Sequence, residues 1–367
     1  MKTAVQITFF RRINYGAALQ AYALSTAIRS LGWNCITLDY ITPEHPPFRS
    51  RLNLWLEYLL CARRNLLYNR FLREELQLSP RYPTKASLMR NPPQADVYIT
   101  GSDQTFNPAH NRGDSSYLLD FVPQARRSSV RKISYASSFT RAELPPKFVE
   151  EYRRLLSDYD ALSVREESGV ALLRKLGFAN AVRCCDPTLL LTTEKWRTLA
   201  EKAIRKLRKP YILVYVFPGV LDHHPKVRTL IANLERQLGC ETIFLSGKKK
   251  DFFKSRLHVF LNASPYEFLD LFFHAKFVVT SSFHGTVFSL HAGVPFLTLA
   301  NRDTTHDSRA LTLLQSTGAV KHLLTYPLQD NPGDIAWENY IQDDYSTALR
   351  QQRENSMEWL RRQLEQA

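Results

Sequence analysis

Ser281-Ser282-Phe283-His284-Gly285 brings two hydroxyls, an imidazole and a flexible backbone position together directly after the apolar run Phe277-Val278-Val279-Thr280. Doubly wound sheets bind ligands where an apolar strand runs out into small polar residues and a helix begins, because free N–H groups and the positive end of the helix dipole meet there. A phosphate or carboxylate suits such a junction, and His284 adds a proton that can move near neutral pH. The plainer reading makes Ser281 or Ser282 a helix cap and His284 a satisfied polar residue. The clustering of these residues at the ligand edge favours function over capping alone.

Three other segments share this layout. Ile13-Asn14-Tyr15-Gly16-Ala17-Ala18-Leu19-Gln20 follows the first apolar run and enters a helix with a glycine at the turn, where backbone can approach a ligand closely. It lacks the spaced glycines of a dinucleotide loop, and Asn14 as a simple helix cap is a competing reading. Tyr98-Ile99-Thr100 runs out into Gly101-Ser102-Asp103-Gln104, side chains suited to sugar hydroxyls. Asp103 could act as a general base there, although aspartate in a turn often serves only local hydrogen bonding. Ala161-Leu162-Ser163-Val164 leads to Arg165, whose guanidinium fork fits a carboxylate or phosphate, unless it merely pairs with a neighbouring glutamate.

These segments need elements that carry them to one edge. Apolar runs at 3–9, 35–40, 95–100, 132–137, 160–164 and 181–185 alternate with helix-length stretches at 17–31, 50–76, 146–157 and 166–176. That alternation predicts a parallel sheet with helices on both faces. After a helical stretch at 193–207 the pattern restarts at 211–216 and continues through helix 225–238, strand 241–245, helix 265–273, strand 276–280, helix 285–292 and strand 295–299. The fold class expected is α/β, with two Rossmann-like doubly wound domains over residues 1–195 and 196–335. A polar helix within 336–367 could cross back onto the first domain.

Composition agrees with a globular chain of 367 residues, 44% hydrophobic and 23% charged, long enough for two cores. The net charge of +14 should gather anions: phosphorylated substrates, nucleic acid or an acidic membrane face. The basic residues and aromatics of 49–76 match an interfacial amphipathic helix, although a solvated basic face explains them as well. A nucleic-acid-binding protein is a rival reading, but no helix-turn-helix, zinc finger or RNA-binding signature is present. Five scattered cysteines without Cys-x-x-Cys spacing suggest a reducing cytoplasm, and the histidines show no metal-ligand spacing, so no metal is expected. The first residues have no signal-peptide pattern.

Taken in order, Asn14-Tyr15-Gly16-Ala17-Ala18-Leu19-Gln20, Gly101-Ser102-Asp103-Gln104, Ser134-Tyr135-Ala136-Ser137-Ser138-Phe139, Val164-Arg165-Glu166, Asp186-Pro187-Thr188-Leu189-Leu190 and Thr280-Ser281-Ser282-Phe283-His284-Gly285 resemble the polysaccharide pyruvyl transferase family. The resemblance implies a glycosyltransferase-B-like pair of domains, phosphoenolpyruvate as donor, no further cofactor, and a sugar or lipid-linked oligosaccharide acceptor that becomes a cyclic pyruvate ketal. Galactose with free O4 and O6 is the acceptor that family likeness suggests. It also implies catalysis at His284 and donor holding at Arg165. On residue type, Asp103 is the candidate base, Ser281, Ser282 and Gly285 complete the donor side, and Asn14, Gly16, Gln20, Ser102 and Gln104 form the acceptor side. Several family members carry arginine where this chain has Ser282, so charge for the donor must come from elsewhere, with Arg165, Lys248 to Lys250 and the helix end as candidates. A nucleotide-sugar glycosyltransferase is the enzyme alternative, since the architecture is shared. A cytoplasmic enzyme, peripheral at the inner membrane face, is the expected setting.

Overall fold

The computed structural model describes residues 1–11, 13–40, 51–217, 220–245, 258–260, 262–301, 309–328 and 331–367, with backbone alone for 51–61, 222–223 and 258–259. Two six-stranded sheets organise them, with every strand pairing parallel. The first has the order β2-β1-β3-β4-β5-β6, built from β1 (Thr3–Ile7), β2 (Asn34–Thr37), β3 (Val97–Thr100), β4 (Arg131–Ser137), β5 (Ala161–Val164) and β6 (Val182–Arg183). The second has the order β12-β11-β10-β7-β8-β9, from β7 (Tyr211–Tyr215), β8 (Glu241–Leu245), β9 (His258–Phe260), β10 (Phe277–Thr280), β11 (Phe296–Asn301) and β12 (Leu323–Tyr326). Strands such as β3 and β10 are buried along their whole length, which is why their sequences are unbroken apolar runs rather than alternating ones.

Strand order reverses between β1 and β3 in the first sheet and between β7 and β10 in the second. Crevices open at such reversals, because successive connections leave to opposite sides. The chain leaving β1 enters helix Tyr15–Ser30, where the Asn14 side chain accepts the Ala17 N–H at 3.3 Å. The chain leaving β10 enters helix Phe283–Ala292, capped by Ser282 and ended by Gly293 at φ 70°.

The sheets are not isolated. One apolar cluster includes Leu19, Phe71, Trp196, Leu213, Phe268 and Phe288, so the core continues from one domain into the other. Tyr15 stacks on Phe268 at 4.9 Å between ring centres, and its hydroxyl donates to the Ala263 carbonyl at 3.1 Å. Helix Ser346–Glu365 lies on the first domain: Ser356 Oγ accepts the Cys185 N–H at 3.0 Å, and Arg131 donates to Gln363 at 3.0 Å.

Several elements differ from the sequence expectation. The helix expected over 193–207 stops at Ala200, and the segment after it is held by Glu267, which accepts the Arg205 N–H at 3.2 Å. The helix Arg309–Thr317 and strand β12 had no counterpart in the sequence reading.

Candidate active site

Side chains at the end of β10 fix the turn into its helix. Thr280 donates to the Tyr215 carbonyl at 2.7 Å, Ser281 Oγ accepts the Phe217 N–H at 2.7 Å, and Ser282 Oγ accepts the Gly285 N–H at 3.4 Å. Gly285 is required for this fit, because a Cβ there would lie 2.1 Å from Thr280 Oγ1. His284 then falls in the first helical turn, only 6% exposed and directly against Gly16 of the first domain. Its Nε2 stands 3.8 Å from Asp186 Oδ2 and has no hydrogen-bond partner among the described residues.

The first domain supplies the facing charges. Arg165, at the end of β5, donates from Nη1 to Asp186 Oδ2 at 2.5 Å and from Nε to Glu166 Oε1 at 3.3 Å. Its Nη2 lies 4.0 Å from Asp103 Oδ1 and is likewise without a hydrogen-bond partner among the described residues. The guanidinium carbon sits 4.4 Å from the centre of the Phe283 ring, so this cation bridges the domains through a cation–π contact. Asp186 is held in turn by the Thr188 hydroxyl at 2.6 Å, the Thr188 N–H at 3.0 Å and the Ser102 hydroxyl at 3.2 Å. Asp103 has φ 72° and ψ −169°, a conformation that is strained for any residue with a Cβ. Its carbonyl accepts the Ser138 N–H at 2.9 Å, one of the contacts that hold it there.

Burial drives the proton affinities in this cluster. It pushes the His284 imidazole below its ordinary value, with Asp186 and Asp103 opposing and Arg165 and Arg309 reinforcing. Burial alone would raise Asp186, yet Arg165, His284 and Thr188 together hold its carboxyl below the usual range. Glu166 goes the other way: burial lifts its carboxyl above the ordinary value despite Arg165 and Ser138. The free protein therefore presents a neutral imidazole beside a paired carboxylate and a partly uncommitted guanidinium.

The structure thus draws His284, Arg165, Asp103, Ser282, Gly285 and Gly16 into one region, with Ser281 at the mouth of the β7–β10 crevice. The residues expected on the acceptor side are distributed differently. Gly16 makes room for the imidazole, Asn14 caps its helix, and Gln104 accepts from Asn107 at 2.9 Å. Ser102 is fully buried, donating to Ala136 as well as Asp186, so it braces the site from below. Gln20 is also fully buried, its Nε2 directed to Thr8 Oγ1 at 2.8 Å and to the Ala17 and Phe9 carbonyls at 3.0 and 3.2 Å. Its amide braces the end of β1 rather than facing an acceptor. Lys248 to Lys250 lie outside the described residues. The sequence reading gave no role to Asp186, Glu166 or Arg309; only Asp186-Pro187-Thr188, an Asx turn after a strand, carried a signal that could have found one of them.

The other histidine of the helix is structural. His291 Nε2 donates to the Thr188 carbonyl at 3.0 Å and Nδ1 accepts from Thr193 at 3.2 Å, while burial lowers its pKa from 6.5 to about 4. A neutral form favoured by folding stabilises the protein fully above pH 6.5, and that contribution is lost as pH falls toward about 4. The loss should amount to about 3 kcal/mol. Urea melts between pH 7 and 4.5 should show this decline, and His291→Gln should flatten it; an equal decline in the variant would remove His291 as its source.

Residues 14–303 match the family described as polysaccharide pyruvyl transferase, most of the chain and every residue of this cluster except Arg309. The chain belongs to that family. It is accordingly a transferase, and the family description points to a sugar or polysaccharide acceptor. No curated protein matches the sequence. Solved structures similar to this pyruvyl transferase family member include a UDP-N-acetylglucosamine 2-epimerase from Neisseria meningitidis bound to UDP-GlcNAc, with 13% identity, 98% of this chain and 93% of that one covered, and a TM-score of 0.53. A UDP-N-acetylglucosamine 2-epimerase from Rickettsia bellii has 10% identity, coverage of 100% and 96%, and a TM-score of 0.53. Arabidopsis thaliana UGT89C1 complexed with UDP-L-rhamnose has 12% identity, coverage of 97% and 94%, and a TM-score of 0.51. At such identities the likeness concerns the fold, a glycosyltransferase-B-like pair of Rossmann-type domains.

No described helix is long and apolar enough to cross a membrane. Within Arg51–Glu75, Arg63 donates to Glu267 at 3.0 Å and to the Asn262 carbonyl at 2.8 Å, while Arg70 pairs with Glu74 at 2.7 Å.

Proposed function

We propose that this transferase moves pyruvate from phosphoenolpyruvate onto two hydroxyls of one sugar, within a bacterial polysaccharide or its lipid-linked precursor. The observation that supports this reading is a pair of buried nitrogens, His284 Nε2 and Arg165 Nη2, both without hydrogen-bond partners among the described residues. Leaving a buried donor unpaired costs about 1–3 kcal/mol, a cost that a bound anion removes. Phosphoenolpyruvate carries a carboxylate and a phosphate on adjacent positions and so offers acceptors to both.

The enol carbon of phosphoenolpyruvate becomes electrophilic when its methylene carbon gains a proton. His284 is neutral in the free protein and must acquire that proton as the donor binds. The donor's phosphate raises the affinity of a neighbouring imidazole for a proton, and with a second pKa of about 6 it can bring one in. Protonation turns the methylene into a methyl and leaves positive charge on the central carbon. One sugar hydroxyl adds there as Asp103 accepts its proton. The carbon–oxygen bond to phosphate then breaks, the second hydroxyl adds and gives its proton to His284, neutral again after the first transfer, and a cyclic ketal and inorganic phosphate are the products. Asp186 holds Arg165 in register and favours the imidazolium form of His284.

Incubation with phosphoenolpyruvate and a panel of glycosides should give a pyruvyl adduct by mass spectrometry with matching phosphate release. Adduct formation from none of the glycosides, with no thermal protection by phosphoenolpyruvate, would defeat the proposal. A nucleotide-sugar transferase is the second reading, favoured by the likeness to a fold seen with UDP-L-rhamnose. Thermal protection by nucleotide sugars alone would select it. Membrane docking through Arg51–Glu75 has less support, since Arg63 and Arg70 are engaged within the protein.

Arg165→Lys keeps the charge but loses the fork, and should raise the donor KM about tenfold with a smaller effect on kcat. Steady-state phosphate release against donor concentration measures this, and an unchanged KM would make Arg165 a structural residue only.

A further inference from the structure

Three lysine or arginine side chains are buried among the described residues: Lys132, Arg165 and Arg309. Lys132 pairs with Asp158 near the amino end of β4, away from the site. Arg165 belongs to the cluster already described. Arg309 is the first residue of helix Arg309–Thr317, in a stretch to which the sequence reading assigned nothing.

Burial works against an arginine at that position, because it strips water from the charge. The guanidinium carbon of Arg309 nonetheless lies 5.9 Å from the centre of the Phe283 ring, the same ring that Arg165 approaches at 4.4 Å. Two buried cations therefore approach one ring, whose centre lies 5.2 Å from that of the His284 imidazole. The field of Arg309 reaches the reacting groups, lowering the proton affinity of both His284 and Glu166.

Charge balance favours a further cation. Asp103 and Asp186 offset Arg165 and the imidazolium that forms at His284 on donor binding, so a donor bearing both carboxylate and phosphate finds no net positive charge there without one. Ser282 supplies none: its hydroxyl is committed to the Gly285 N–H, at the position where the family pattern has arginine.

We propose that Arg309 is a second donor-binding residue, which with Arg165 holds the anionic groups of a phosphorylated three-carbon acid and compensates for serine at position 282. The inference rests on the pyruvyl-transfer reading. Arg309 reaches the site from a different helix, so the charge is restored in space although it is absent from the motif.

Binding of phosphoenolpyruvate and of inorganic phosphate should be measured by calorimetry on the full chain, with circular dichroism to check folding. Arg309→Ala should weaken donor binding about ten- to a hundredfold, and Arg309→Lys by a smaller factor, through loss of charge-assisted hydrogen bonds. Adding Ser282→Arg to Arg309→Ala should recover part of the loss, which a packing role for Arg309 would not permit. Donor affinity within twofold of the parent in folded Arg309→Ala would overturn the proposal. If that variant does not fold, unchanged affinity in Arg309→Lys would do the same. Failure of the parent protein itself to bind phosphoenolpyruvate would instead sink the pyruvyl-transfer reading.

Discussion

Replacing His284 by alanine is expected to lower turnover about 10²- to 10⁴-fold, the range for loss of one proton-transferring group. The fold should survive, because the imidazole contributes no hydrogen bond from Nε2 among the described residues and its burial carries an unpaired polar atom. Removing such a group can be neutral for stability even where it is fatal for chemistry. The low proton affinity of the free imidazole adds a second expectation. Donor binding should take up a proton and weaken as pH rises, since only the protonated ring both attracts the anion and serves as acid. Phosphate release at saturating donor, together with thermal melts, tests the first part, and calorimetry in buffers of different ionisation enthalpy tests the second. A folded His284→Ala protein that turns over at near-parental rate would exclude the imidazole from the chemistry.

The fold was largely legible because parallel strands are buried on both faces and leave unbroken apolar runs; Phe277-Val278-Val279 in β10 and Tyr98-Ile99 in β3 are of that kind. Strand β12 escaped notice since Leu323–Tyr326 is only half-buried throughout and lies beyond the motifs. The edge positions of His284, Arg165 and Asp103 could be read from the strand endings, whereas their convergence could not, because it depends on how one domain faces the other. Gln20 illustrates a different limit. A glutamine after a ligand-edge turn has the composition of a sugar-binding residue, but the direction of its amide is decided by Thr8 and the Phe9 carbonyl, to which sequence spacing gives no guide. Glu166 was hidden for a related reason: a carboxylate beside an arginine resembles a surface ion pair until burial is known.

Gly16→Ala should produce the other large effect. A Cβ at this position would stand 2.1 Å from His284 Nδ1, 2.3 Å from Cγ and 2.8 Å from Cβ, distances that no side-chain adjustment within the present packing can absorb. Either the imidazole turns away or helix Tyr15–Ser30 retreats from the second domain, disturbing the Tyr15–Phe268 stack and the bond to Ala263. Overpacking typically costs about 1–3 kcal/mol, and a displacement of about 1 Å in a catalytic group can cost about a hundredfold in rate. Stability and turnover should therefore both fall, in contrast to His284→Ala, which affects turnover alone. A double-mutant cycle identifies the cause: in a His284→Gly background all three close atoms are gone, so adding Gly16→Ala should cost little stability. If the alanine at position 16 were equally destabilising with and without the imidazole, the glycine would be serving the first helix rather than the contact between domains. The absence of a side chain at position 16 is what lets the imidazole of the second domain lie directly against the first helix.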